Sequence, residues 1–168
     1  MILTPHAIVG AALANIVPYD PALGLGLAFF SHYALDMLPH TDYDVSGFVD
    51  TKTKTVKSVF KETKTAIHLL LIVADFAIAI FLCIFIFVRN RQSLFLTLIG
   101  IVGGLLPDFF QFLYYKYNSQ PWIFYQKIHN RLHALIKIKN EKFWGIFLQI
   151  IIPISFILIY FYISHRWI

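Results

Sequence analysis

Apolar residues in this chain come in long unbroken runs, without the strict alternation of a half-buried strand. Three of these runs, 66–88, 94–113 and 143–163, reach the roughly 20 residues that a helix needs to cross a hydrocarbon core. A fourth opens at Asp20-Pro21, where an N-cap side chain precedes a proline at the first helical position, and continues over 21–38 up to Pro39. The first run, 5–17, is short for a crossing and is either a thin, tilted helix or a half-crossing buried against the others. The pattern predicts an all-α integral membrane bundle of four to five transmembrane segments, forming one domain over 1–168 with long loops at 39–65 and 114–142. Within the second loop, 121–136 suits an interfacial amphipathic helix. Phe124, Ile128, Leu132 and Leu135 share one side of it, Trp122 and Tyr125 fit a headgroup belt, and His129 and His133 fall on a flank.

Composition sharpens this picture. The chain is 58% hydrophobic, 17% aromatic and 14% charged, with a mean hydropathy of +0.69; these values lie outside the range of an ordinary soluble domain. The single cysteine, Cys83, excludes an internal disulfide and a cysteine-rich metal site. The amino terminus lacks the basic start and small-residue cleavage site of a secretory signal and is read as part of the mature protein. Eleven of the 14 Lys and Arg residues lie in the two long loops, so the net charge of +5 points to anionic lipid headgroups and not to nucleic acid. If five segments alternate, that bias places the amino terminus and both loops on the cytoplasmic side of the cell (inner) membrane.

The same topology gathers the ionisable residues at one end. His6 begins the first run. His32, Asp36 and His40 follow one another at intervals of four and form one stripe, and His129 and His133 repeat that interval. His68 and Asp75 share a stripe of the third run, and Asp108 lies short of the end of the fourth. Charge in hydrocarbon costs about 2.5–3.5 kcal/mol on insertion scales, so such groups face a cavity, a partner or a metal. Imidazole and carboxylate without thiolate form the ligand set of zinc, manganese or iron. Asp75 has no evident partner and either pairs with a histidine or stays protonated, while Asp42, Asp44 and Asp50 read as solvated loop acids. Gly103-Gly104 reads as a site of close helix packing. Thr4-Pro-His6 leading to Leu38-Pro39-His40 has a counterpart in Thr65-Ala-Ile-His68 leading to Leu106-Pro107-Asp108. The likeness raises a duplication, with parallel helical-hairpin repeats at 4–44 and 65–115.

Three of these pieces resemble motifs of bacterial and archaeal membrane proteins in the YdjM-like metal-dependent hydrolase family. Thr4-Pro-His6-Ala-Ile-Val-Gly10 is similar to its amino-terminal Thr-His motif, Gly103-Gly-Leu-Leu-Pro-Asp108 to its Gly-Ser-Leu-Leu-Pro-Asp motif, and His129-Asn-Arg-Leu-His133 to its His-Arg-Gly-x-Thr-His motif. A weaker likeness extends to zinc-dependent phospholipase C. The family continues Pro-Asp with an acid and a histidine, whereas Phe110 and Gln111 stand here; Leu38-Pro-His40-Thr-Asp42 looks like the same motif in the first hairpin. The resemblance implies a membrane hydrolase.

The resulting expectation is a hydrolase holding a divalent metal ion, zinc before manganese or iron, that acts on an ester or phosphoester of a lipid or membrane-associated substrate. His6, Asp36, His40, His68 and Asp108 are the expected metal ligands. His32, His129 and His133 are expected as further ligands or acid–base groups, and Arg131 with Lys127 as binders of an anionic substrate group. A divalent cation or proton transporter is the alternative, in which polar residues continue across the bilayer, and a structural protein with polar residues joining its helices is another.

Overall fold

Six helices follow one another along the described chain: α1 Leu3–Ile16, α2 Pro21–Asp36, α3 Thr63–Phe87, α4 Arg91–Tyr117, α5 Trp122–Leu132 and α6 Glu141–Ser164. A two-residue antiparallel ladder, β1 Val49–Asp50 with β2 Thr55–Val56, lies between α2 and α3. The computed structural model describes residues 2–42, 49–50, 55–56, 63–133, 135–136 and 140–165, with the side chains of 49–50, 55–56 and 63–65 excepted. Asp44, the Asp50 side chain and the loop lysines Lys52, Lys54, Lys57 and Lys61 lie outside the described residues.

Three helices are long and apolar enough to cross a membrane: residues 66–87 of α3, then α4 and α6. Only 11% of the most apolar window of α3 and 17% of that of α6 is buried inside the protein. Leu70, Phe81 and Phe85 on α3 and Phe143 and Leu158 on α6 are among the large apolar side chains left outside. Such apolar cover is compatible with a membrane protein. The two remaining long elements are shorter. At 14 and 16 residues, α1 and α2 rise about 21 and 24 Å, short of a core of about 30 Å.

Helix α1 is the axis of the molecule, packing against α2, α3, α4 and α6. It is buried along nearly its whole length because its side chains are small, with Ala7, Ala11, Ala12 and Ala14 fully enclosed. Where it crosses α4, backbone meets backbone. A methyl group at Gly10 would collide with the Gly100 carbonyl, one at Gly100 would lie 2.6 Å from Ala11 Cα, and one at Gly104 would strike the His6 carbonyl. The neighbouring Gly103 admits α2, with Ala28 Cβ and the Leu25 carbonyl each 2.8 Å from where its Cβ would stand. The Gly100-x-x-Gly103-Gly104 stretch thus draws three helices into contact, as small residues do where no water is present to drive association.

Caps fix the ends. Asp20 accepts from Leu23 N at 2.9 Å to open α2, as its sequence predicts. Asn90 and Ser93 form a capping box at the start of α4. Helix α1 has no capping side chain of its own, and Asp75 of α3 supplies one. Its Oδ2 accepts from Leu3 N at 2.8 Å and Thr4 N at 3.2 Å, and its Oδ1 from Thr4 Oγ1 at 2.6 Å. The sequence left Asp75 between a histidine partner and a neutral state; the structure places its carboxyl group on the amides and hydroxyl at the start of α1. Helix α5 is shorter than the 121–136 expected, and α4 runs on through Pro107 to Tyr117.

Two outcomes are expected from this packing. Gly100→Leu should abolish folded protein, read as loss of the monodisperse peak in size-exclusion chromatography in detergent. Asp75→Ala should leave the fold intact but cost about 1.5–3 kcal/mol, the scale of a charge-assisted hydrogen bond, read as a lower melting temperature in the same detergent.

Candidate metal centre

At the end of the bundle where α1 begins, four helices present side chains to one another. His6 comes from the first turns of α1, His32 and Asp36 from the last turns of α2, Asp108 from α4 and His129 from α5. The contacts of Gly104 with the His6 backbone bring α1 and α4 together here. The His6 and His32 rings stack at a centroid distance of 3.9 Å. Asp36 stands at the middle: Oδ1 is 3.2 Å from His6 Nε2, and Oδ2 is 3.0 Å from His32 Nε2 and 3.6 Å from His129 Nε2. His32 Nε2 is also 3.5 Å from Asp108 Oδ1. His6, His32, Asp36 and His129 are all at most 5% exposed, whereas the Asp108 side chain is 25% exposed and opens towards the surface.

The proton positions follow from the partners. His32 Nδ1 lies 2.8 Å from the carbonyl oxygen of Gly104, which can only accept, so the Nδ1–H donates and Nε2 presents a lone pair. Pro107 removes one amide donor from this stretch of α4 and loosens the ladder around that carbonyl. His40 repeats the device, donating from Nδ1 to the Leu38 carbonyl at 2.7 Å. A backbone or carboxylate acceptor on the far nitrogen is the usual support of a metal-binding histidine.

The Nε2 atoms of His6 and His32 face the Asp36 carboxylate at 3.2 and 3.0 Å. Lone pairs facing carboxylate oxygens at 3 Å repel unless a cation lies between them. His6 can meet Asp36 as the neutral Nε2–H tautomer, whereas a proton on His32 Nε2, in addition to the Nδ1–H given to Gly104, would make that ring a buried imidazolium, which desolvation opposes. A divalent ion satisfies the same lone pairs without that conflict. For metal–ligand bonds of about 2.0–2.1 Å, adjacent donors of a tetrahedral shell lie about 3.3 Å apart. The donor separations here, 3.0–3.6 Å, bracket that edge. The residues therefore could hold a metal ion by donor type and spacing.

A second set lies outward of the first. His40 Nε2 is 3.1 Å from His133 Nε2 and 3.1 Å from Asp42 Oδ1, while Asp42 Oδ2 is 3.4 Å from His133 Nε2. Asp36 Oδ1 reaches His40 Nε2 at 4.0 Å. The loop carrying His40 and Asp42 is held by α6. Gln149 Nε2 donates to the Thr41 carbonyl at 2.8 Å, and Thr41 Oγ1 donates to Gln149 Oε1 at 2.6 Å. Gly145 lets α6 approach the His40 backbone, since a Cβ there would lie 3.0 Å from His40 Cα.

Helix α5 is amphipathic as expected, but its buried stripe is Gln126 and His129, with Phe124 facing out. Trp122 and Tyr125 pack on Phe110 at 5.5 and 4.7 Å. That contact seats α5 and carries His129 over Asp36. Burial pushes the His129 imidazole below its ordinary pKa against the pull of Asp36, and does the same to His133 against Asp42. Both therefore stay neutral and keep a lone pair near pH 7.

Of the expected site residues, the structure brings together His6, His32, Asp36, His40, Asp108, His129 and His133. It does not bring His68. That residue sits seven positions before Asp75 on α3, about 10 Å along the axis beyond the level at which α1 begins. Lys127 and Arg131 are exposed on the side of α5 turned about 160° from His129, so neither reaches the centre. His32 and His129, being almost fully buried, suit ligation better than proton transfer with substrate. Asp42 was read as a loop acid and is missed; its signal was the likeness of Leu38-Pro-His40-Thr-Asp42 to the Pro-Asp motif. Gln149 was missed as well, although it is a polar interruption in the apolar run of α6. Comparison of the chain with protein-family models, curated proteins and solved structures finds no match.

Gln149→Leu removes the support of Thr41 without touching a donor. It is expected to weaken divalent-cation binding about 10- to 100-fold, the range for orienting partners, by titration calorimetry, with circular dichroism unchanged.

Proposed function

We propose that this chain is a membrane-embedded, metal-dependent hydrolase that cleaves an ester or phosphoester of a lipid or membrane-associated substrate at the cytoplasmic face of the cell membrane. One observation carries the reading: the buried Nε2 atoms of His6, His32 and His129 converge with Asp36 and Asp108 at coordination spacing, and Gly104 fixes the His32 tautomer. His6, Asp108 and His129, one from each of the three stretches that resemble motifs of the YdjM-like family, lie in this convergence. A divalent cation bound there supplies Lewis acidity towards a carbonyl or phosphoryl oxygen and lowers the pKa of water beside it.

The chain's own groups define the rest. Asp108, Asp42 and His133 are the partly exposed members, at 25%, 45% and 30% of their side-chain surface, and form the rim that substrate meets. In a centre with one ion, His133 Nε2 is the rim atom that accepts and returns a proton. Phe109, Phe112 and Phe124 are exposed apolar side chains on the neighbouring helices α4 and α5. They suit acyl chains next to the rim, which is why a lipid is the preferred substrate. Lys127 and Arg131, turned outward, meet anionic headgroups and anchor α5 at the interface.

The test is hydrolysis of fluorogenic phosphodiester and carboxylic-ester lipids by the untagged protein in phosphatidylglycerol nanodiscs, with added zinc, manganese or iron. Turnover that requires the metal and falls about 100-fold or more in Asp36→Asn and Asp108→Asn, the scale of losing a directly acting polar group, is the expected result. Turnover that persists in Asp36→Asn or ignores chelators would overturn the assignment.

A further inference from the structure

Eight residues, counted from the contacts above, direct ligand atoms at this end of the bundle: His6, His32, Asp36, Asp108, His129, His40, Asp42 and His133. One first-row divalent ion uses about four protein ligands, or fewer with water. The number alone exceeds one coordination shell, and the distances divide it. His6, His32 and Asp36 form one group with ligand atoms within 4.8 Å of one another, as do His32, Asp108 and His129. His40, Asp42 and His133 form another group at the rim, and Asp36 with His129 and His133 joins the two.

We infer that the centre is dinuclear, resting on the metal-dependent reading above: an inner ion held by His6, His32 and Asp36 with Asp108 or His129, and an outer ion held by His40, Asp42 and His133, bridged by Asp36. Three features of the rim group carry the outer site. The His40 imidazole is 1% exposed and gives its Nδ1–H to the Leu38 carbonyl, so its Nε2 lone pair is aimed at Asp42 and His133. Those three residues place the two Nε2 atoms 3.1 Å apart and against one carboxylate, His40 on Asp42 Oδ1 at 3.1 Å and His133 on Asp42 Oδ2 at 3.4 Å, with one ligand atom of each within 4.8 Å of the others, a span that one ion can bridge. The two oxygens of Asp36 are split between the sets: Oδ2 lies against His32 and His129 of the inner set, and Oδ1 lies between His6 and His40. A bridging carboxylate of this kind holds two ions about 3.5–4 Å apart, the separation of two-metal hydrolytic sites.

The two sites differ in access. The inner donors are enclosed, whereas Asp42 and His133 are partly exposed, so the outer ion exchanges with solvent and lies closest to an incoming phosphoester. A phosphoester, with two non-bridging oxygens to share between ions, is then the favoured substrate class over a simple carboxylic ester. His133 becomes a ligand of the outer ion in this arrangement, and its proton-transfer role in a one-ion centre lapses.

Metal content and paramagnetic resonance of the untagged, detergent-purified protein test this. After loading with manganese and removal of excess, the wild type should hold about two equivalents and give the spectrum of an exchange-coupled pair. The His40→Ala/His133→Ala variant and, as a milder alteration at an exposed position, Asp42→Asn should hold about one equivalent and give an isolated-ion spectrum. About one equivalent in the wild type, unchanged in both rim variants and lost in His6→Ala, would overturn the second ion while leaving the hydrolase reading in place. No metal in any form would overturn both.

Discussion

Everything at the end of the bundle that gathers the histidines and aspartates depends on how closely α1 and α4 approach. An imidazole reaches only a few ångströms from its backbone, so His6, His32 and Asp108 can share donors only if the three helices that carry them touch. Gly10, Gly100, Gly103 and Gly104 permit this by removing the methyl groups that would hold the helices apart. The cost of glycine in a helix, about 0.8–1 kcal/mol against alanine, is accepted at the positions nearest the site. The same contact leaves the Gly104 carbonyl where His32 can use it, so packing and tautomer are set by one residue.

Electrostatics explains why the polar set is concentrated and not dispersed. An isolated carboxylate inside an apolar bundle is costly, whereas one surrounded by donors is tolerated. Asp36 and Asp75 solve the problem differently. Asp75 meets the amide groups and hydroxyl at the start of α1, a closed arrangement that uses its oxygens for architecture. Asp36 meets imidazole nitrogens whose lone pairs face inward, an arrangement that is relieved by a cation. Two aspartates at the same end of one helix bundle, Asp36 buried and Asp75 half-buried, thus have different work, and their partners distinguish them.

Much of this was legible in the sequence, and the limits have physical causes. Helix positions followed from run length, and the four-residue spacing of His32, Asp36 and His40 placed them on one stripe, because both depend on local periodicity alone. The meeting of His6 with Asp36 followed from segment ends lying together. His68 misled because the sequence does not show how far α3 slides along α1; the Asp75 cap sets that slide and leaves His68 outside. Arg131 misled because proximity in sequence to His129 and His133 says nothing of facing, and two residues on a helix point nearly opposite ways. Phe110 appeared as a lost ligand in the family motif, yet its ring is what seats α5. Asp42 and Gln149 depend on a loop meeting a distant helix, which no local pattern encodes.

The placement of polar groups also bears on the choice between the proposed hydrolysis and transport. A permeation path needs donors in succession along its length. Away from the end that gathers the histidines and aspartates, α1 and α4 carry Asn15 and Thr97, but Asn15 Nδ2 donates to Thr97 Oγ1 and to the Ala11 carbonyl, which closes the pair on itself. Beyond lie Ala79, Cys83, Phe87, Ile101 and Tyr160, an apolar cluster in which Phe87 packs edge-on against Tyr160. An ion leaving Asp36 in that direction meets methyl groups and rings in place of oxygen or nitrogen, and the desolvation cost rises with each step. In the other direction it meets Asp108, Asp42 and His133, increasingly exposed. Among the described residues the polar cluster is closed on one side and graded in exposure on the other, an arrangement that suits the proposed reaction site better than a conducting path.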